Sequence, residues 1–272
     1  MNKYELTDET KTLEDGTVLR RIRAVRDFTL VNGDKIWAGK LGGWLENESN
    51  LSHDGKAWVE DEACVYGRAH VLDDARVFDR AVVCDNACVC DNAEIYDDAR
   101  VVEAAKVCGD ARVSVRSCVR GNACVCDTAR VYGQSLVYDN ARIYGHAEMH
   151  GAAVVCDDAK VYDNAKVCDN ACVCDTAEIY GIAIVSGRAK VCDAAKVRST
   201  SDYTVYKNTW SSGRWFTYTR SDGMWTVGCF HGTGEELIAK AYRDSARSGR
   251  CYERIVRVQE AIDGDTGEGE TT

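Results

Sequence analysis

Asn170-Ala171-Cys172-Val173-Cys174-Asp175 is one of 24 consecutive six-residue units that run from Lys56 to Ser199 without an insertion or deletion. Each unit reads polar, Ala, variable, aliphatic, variable, Asp or Gly, as again in Glu62-Ala63-Cys64-Val65-Tyr66-Gly67. The fourth position is Val in 20 units, with Ile95, Ile143, Ile179 and Met149 in the others; the second is Ala in 22, with Ser117 and Ser135 the exceptions. A fixed short period marks a solenoid, in which each turn buries its apolar side only by stacking on its neighbours. The Ala and the aliphatic residue stand two apart, so in an extended segment both point to one face, while the variable positions point to the other. Position six is acidic in 14 units and Gly in 8. Both residue types suit a corner, Gly through its freedom at positive φ and Asp through local side-chain hydrogen bonds.

The rest of the composition agrees with a backbone bonded on both sides. Proline is absent, and a strand that donates to its neighbours has little use for a residue without N–H. The net charge is −10 with Lys and Arg interspersed, which gives no general attraction to nucleic acid. No apolar run reaches membrane-span length, and Met1-Asn2-Lys3-Tyr4-Glu5-Leu6 lacks the apolar stretch of a secretory signal. A cytoplasmic protein of a bacterial host is expected, and the fifteen cysteines then read as free thiols.

The pattern Val-x-(Gly/Asp)-x-Ala-x resembles the hexapeptide repeat of left-handed parallel β-helix proteins. It departs from that repeat by placing Gly or Asp two residues after the aliphatic residue. The resemblance implies a triangular coil of three units, hence about eight 18-residue coils and a shaft roughly 38 Å long. The expected fold is therefore an all-β solenoid, a parallel β-helix with left-handed winding favoured, followed by a small α+β domain. The segment Arg21-Ile22-Arg23-Ala24-Val25-Arg26-Asp27-Phe28, with Gly42-Gly43-Trp44 and Asn50-Leu51-Ser52, resembles uncharacterised hexapeptide-repeat proteins of enterobacteria and prophages.

Stacking by 18 separates three outward faces. The first carries Cys64, Val82, Cys118, Leu136, Val154 and Cys172 before the aliphatic residue, and Tyr66, Cys84, Val102, Tyr138, Cys156, Cys174 and Cys192 after it. Only Arg100, Arg120 and Lys190 interrupt it. A flat apolar strip of this kind reads as an interface, and self-association to a dimer or trimer is expected through Val82, Val102, Leu136, Tyr138, Val154, Cys156, Cys172 and Cys174. The second face runs Arg76, Glu94, Arg112, Arg130, Glu148 and Lys166, where opposite charges mostly neighbour each other, a solvated surface. The third stacks Cys90, Cys108 and Cys126, then Tyr144, Tyr162 and Tyr180 beside Lys106, Arg142, Lys160 and Lys196. Tyr144, Tyr162, Tyr180, Arg142 and Lys160 form a possible ligand face, since aromatics beside cations hold planar ligands; the plainer reading is that Tyr and Cys suit a β surface. Cys88-Val89-Cys90, Cys124-Val125-Cys126 and Cys172-Val173-Cys174 each aim two thiols outward. Zinc sites usually take wider spacing and a second ligand pair, so these cysteines read as small hydrophobes. Neither metal nor cofactor is expected.

Residues 1–55 read as an amino-terminal β cap, with a strand over Thr17–Val25, and Asn50–Gly55 as a degenerate unit with Leu51 at the Ala site. Residues 200–263 read as an α+β module. Its strands are predicted at Tyr203–Tyr206, Trp215–Thr219 and Trp225–Phe230, with one helix opening at the capping box Thr233-Gly234-Glu235-Glu236 and another near Tyr252–Ile262. Residues 264–272 read as a polar, frayed tail. Gly228-Cys229-Phe230-His231-Gly232-Thr233 with Glu235-Glu236 resembles a small module at the C-termini of prophage proteins.

Hexapeptide-repeat acyltransferases are the enzymes the chain most resembles. That resemblance implies a histidine base and a loop protruding from the shaft; the repeats contain no such loop, and of His70, His146 and His150 only His146, at a corner, is a candidate base. A γ-type carbonic anhydrase needs three histidines at a spacing these do not supply. The expected function is a non-catalytic, self-associating scaffold whose residues 200–263 contact a host or phage protein. The alternatives are an acyltransferase using acyl-CoA, or an inhibitor of a host defence or nucleic-acid-handling system.

Overall fold

Each of the 24 units contributes one two-residue strand at its third and fourth positions, from Trp58–Val59 to Lys196–Val197. The computed structural model describes residues 2–267. Strands 18 residues apart pair in parallel and in register, as Cys88 with Lys106 and Val89 with Val107. Three parallel sheets result, one per face. Leu41–Leu45 pairs in parallel beneath Cys64–Val65, so the winding amounts to about nine turns, one more than the repeats alone supply. Every second-position Ala and fourth-position aliphatic side chain of the repeats is buried, in one continuous core. Ser117 and Ser135 fit this core because their hydroxyls donate to backbone carbonyls, Ser117 to Ser114 at 2.6 Å and Ser135 to Tyr132 at 2.8 Å.

The corners explain the sixth position. All 23 corner residues from Asp61 to Asp193 have positive φ, between 55° and 81°, where Gly and Asp are the least strained choices. The acidic corners do more than tolerate this geometry. Twelve of them accept a hydrogen bond from the corner N–H one turn further on, at 2.8–3.4 Å, as Asp91 accepts from Gly109 and Asp127 from Gly145. Together with backbone bonds such as Glu62 N to Asp79 O, Cys64 N to Ala81 O and Tyr66 N to Val83 O, four of the six N–H groups in a unit point along the axis. Proline is excluded from those positions by hydrogen bonding alone.

Two caps close the core. At the amino-terminal end Tyr4, Ile22, Leu30, Ile36 and Trp58 cover the first turn, and the Tyr4 hydroxyl lies 2.7 Å from Glu48 O and 2.8 Å from Leu51 O. The strand expected over Thr17–Val25 spans Val18–Ala24 and pairs antiparallel with Tyr4–Thr12, a strand the sequence pattern does not signal. Leu51 corrects the expected register: it bridges Val71 rather than standing over Ala69, so it fills an aliphatic site and two extra residues precede the corner at Gly55.

At the other end Tyr203–Lys207, Trp215–Thr219, Met224–Val227 and Phe230–Gly232 form an antiparallel sheet. Helices α1 (Gly234–Asp244) and α2 (Ala246–Gly267) pack on it through Phe216, Trp225, Leu237, Ile238, Tyr252, Ile255 and Val256. The expected third strand divides in two around Gly228, whose φ is +63°. Helix α2 starts six residues before Tyr252 and runs to Gly267, so Gly264–Gly267 is helical rather than a frayed tail; residues 268–272 lie outside the described residues. This module terminates the ladder with hydroxyls, one for each face. Ile184 N–H donates to Thr200 Oγ1 at 3.3 Å, Lys190 N–H to Thr217 Oγ1 at 2.8 Å and Lys196 N–H to Ser221 Oγ at 2.8 Å. Strand edges that would otherwise invite another chain are thereby occupied. Among the described residues no helix is long and apolar enough to cross a membrane.

Candidate functional site

The first face lies where the 18-residue stacking puts it, and its surface is uneven. Val82, Val102, Leu136, Tyr138, Val154 and Cys172 are half-buried, whereas Cys156 and Cys174 are only 5% and 7% exposed. Those two sulfurs stack with Cys192 in an intramolecular cluster, so they offer little contact area to a second molecule. The Arg120 guanidinium sits 5.0 Å over the Tyr138 ring, which keeps that interrupting charge along the strip rather than projecting from it.

The possible ligand face is also changed by its own stacking. Tyr144, Tyr162 and Tyr180 are parallel, with ring centroids 5.0 and 5.3 Å apart, so the central ring has both faces covered by its neighbours. Lys160 and the Tyr162 hydroxyl both bond to Glu178, at 3.1 and 3.2 Å, and Arg142 stacks on Tyr144. The five residues are thus brought together, mostly as partners of one another. His146 is exposed at its corner, 2.5 Å from the Thr128 hydroxyl; a hydroxyl, not a carboxylate, orients it.

Two clusters bring titratable side chains together, the first of them across a distance that sequence spacing does not signal. At the junction with the C-terminal module, His231 Nδ1 lies 3.5 Å from Cys192 Sγ and 3.0 Å from Thr226 Oγ1, while its Nε2 lies 2.9 Å from Asp193 Oδ2. Thr226 Oγ1 is itself 3.3 Å from the Cys192 sulfur. The hydrogen bond from Cys174 draws the Cys192 thiol down to about 6, with Thr226, His231 and Lys190 acting in the same direction. Cys172 is drawn to about 7, first by Cys174 and then by Lys190. Cys174 itself is pushed up, because its proton serves both neighbouring sulfurs. Beside this network opens a cleft of about 400 Å³ lined by Asn170, Arg188, Lys190, Arg214, Trp215, Thr217, Thr226 and Gly228. Three cations and no carboxylate face it. The sequence gives only a faint signal for this site, since His231 is 39 residues from Cys192 and belongs to a different domain.

The second cluster, on the third face, comprises Cys108, Cys124 and Cys126, with all three sulfurs within 4.8 Å of one another. Cys108 is half-buried on the strand below Cys124-Val125-Cys126, and Lys106 pairs in register with Cys124.

No family model matches the chain. Over 77 residues it is 36% identical to the Escherichia coli K12 protein named "Uncharacterized acetyltransferase YdcK". The match takes in 25% of this chain and 22% of that protein's length. The rest of either chain lies outside the similarity.

Proposed function

We propose that the chain is a rigid β-solenoid interaction protein that pairs with a second copy through its first face and presents its C-terminal module to a protein partner. The observation that carries this reading is the constancy of the 18-residue turn. With no loop inserted, the side chains of the first face stack in straight rows, and its half-buried apolar residues form one strip. Eight strands at the usual ~4.8 Å spacing, each side about 16 Å wide, span roughly 600 Å² per copy. A pair then buries at most on the order of 1,200 Å², just above the ~1,000 Å² expected of a specific interface. A single self-complementary strip favours a twofold dimer. Light scattering tests it: Leu136→Lys with Val154→Glu converts the dimer to a monomer. A mass unchanged by the double substitution, or a monomeric parent protein, overturns the reading.

Acyl transfer is the second reading, supported by the similarity to a protein named an acetyltransferase and by the cationic cleft at Arg188, Lys190 and Arg214. Those groups suit a phosphate-bearing ligand such as acyl-CoA. Ligand binding to the native state raises the melting temperature by mass action. A shift with millimolar acetyl-CoA that is lost in Arg214→Ala supports transfer, and the additional loss of activity in His146→Ala places the base. No shift sinks it. The prophage-type resemblance points to a host defence or nucleic-acid-handling protein as the partner. Capture by the full chain that Trp210→Ala or Val258→Glu abolishes supports the module as the contact, because Trp210 and Val258 line an apolar cleft of about 450 Å³ there.

A further inference from the structure

Thiols recur along the shaft, and on the third face three half-buried sulfurs, those of Cys108, Cys124 and Cys126, converge within 4.8 Å of one another. Cys124 and Cys126 flank Val125 on one strand, and Cys108 lies one turn below Cys126. The backbone of both strands is held from above and below by the axial ladder, so the three Cβ positions are set by the fold and not by the ligand. We propose that Cys108, Cys124 and Cys126 form a trigonal thiolate site for a soft, closed-shell metal ion, best matched by monovalent copper.

Distance, charge and access agree. Ligand sulfurs about 2.3 Å from a shared ion stand about 4.0 Å apart in a trigonal plane; here they lie within 4.8 Å, a gap that small side-chain rotations close. Thiolates select soft ions such as Cu(I) over hard ones. Three thiolates and one Cu(I) carry two negative charges, and two cations stand next to the sulfurs: Lys106 pairs in register with Cys124 from below, Arg142 from above. Of the nearby carboxylates, Asp127 is engaged by the Gly145 N–H at 2.9 Å, and Asp91, nearer Cys90 and Cys108, accepts from the Gly109 N–H at 2.9 Å. All three thiols are half-exposed on an open face, so an ion enters without unfolding the coil.

The step balances as one Cu(I) and three thiols giving a tris-thiolate complex of charge −2 and three released protons, one fewer for each sulfur already ionised; no oxidation state changes.

The test is a copper count on the full chain, reduced and anaerobic, with Cu(I) supplied against a competing Cu(I) chelator. Cys124→Ser and Cys126→Val are each expected to hold one copper fewer than the parent protein at an unchanged melting temperature, while Cys174→Ser, in the other thiol row, keeps the parent's triad copper. Because thiols give up their protons as they bind, affinity at this site falls as the pH is lowered. Equal copper in the parent and both triad variants overturns the proposal, as does a pH-independent affinity.

Discussion

Val115 is the one β-branched residue among the positive-φ corners, at φ +62° and 42% exposed. Its own N–H donates to Asp97 at 3.2 Å, but its aliphatic side chain offers no acceptor to the corner above, Gly133. Val115→Asn therefore changes two things at once without opening a cavity. It relieves a left-handed conformation that costs an ordinary L-residue about 1–2 kcal/mol and Asn much less. It also supplies the missing acceptor for the Gly133 N–H, worth about 0.5–1 kcal/mol at an exposed corner. The sum is a stabilisation of about 1.5–2 kcal/mol, or roughly 3–8 °C in melting temperature for a chain of this size. Val115→Gly relieves the strain but adds no acceptor and frees the unfolded chain, at a cost of about 0.5–1 kcal/mol, so it should fall between the parent and the Asn variant. Thermal melts followed by circular dichroism at the β-sheet band rank the three. An Asn variant no more stable than the parent refutes the corner-strain account, and a Gly variant above Asn refutes the role of the axial hydrogen bond. The reverse substitution, Asp127→Val, removes the acceptor of the Gly145 N–H and adds the strain, and should lower stability by about 2 kcal/mol.

Two further outcomes follow from the caps. Thr217→Val keeps the shape of a buried residue but leaves the Lys190 N–H without its acceptor, a loss of about 1–2 kcal/mol that should speed exchange of the Lys190 amide about tenfold; unchanged exchange contradicts the hydroxyl cap. Lys3 is fully buried, and burial, aided by Arg26, holds it at about 8, below its usual 10.5. Below pH 8 both folded and unfolded chains carry that proton; between about 8 and 10.5 only the unfolded chain does, so this group's contribution to stability rises with pH across that window. Lys3→Met should accordingly stabilise the protein by on the order of 2 kcal/mol near neutral pH and by much less near pH 10, measured by urea titration; a gain that does not depend on pH removes the Lys3 charge from the account.

How far residues announce their own place differs along the chain. Each inward Ala and Val is legible because a period-two alternation repeated every six residues leaves no other way to bury them, and the three faces follow from counting by 18. The strand Tyr4–Thr12 is not legible: apart from Tyr4 its residues are at least partly exposed, and it is extended only because Val18–Ala24 offers an edge to pair with. Leu51 reads as an Ala-site residue by simple counting, yet the larger side chain fills the aliphatic layer against Val71 and the chain absorbs two extra residues. In the same way Gly264–Gly267 lacks a helical apolar pattern and is carried into α2 by the residues before it.

For the candidate sites the division is sharper. Local spacing suffices to turn Cys124 and Cys126 to the same side of one strand and to stack Cys108 beneath Cys126, because both relations are fixed by a covalent repeat. It does not bring His231 to Cys192 and Asp193, or Thr217 to Lys190, since those contacts depend on how a separate module settles on the last turn. Nor does it show that the tyrosines of the third face occupy one another's rings, or that Cys156 and Cys174 are already covered within their own chain. A repeat specifies which side chains share a face, by geometry that each unit carries within itself. Which of them remain free to meet another molecule is set by what packs above, below and across, and that is a property of the assembled coil.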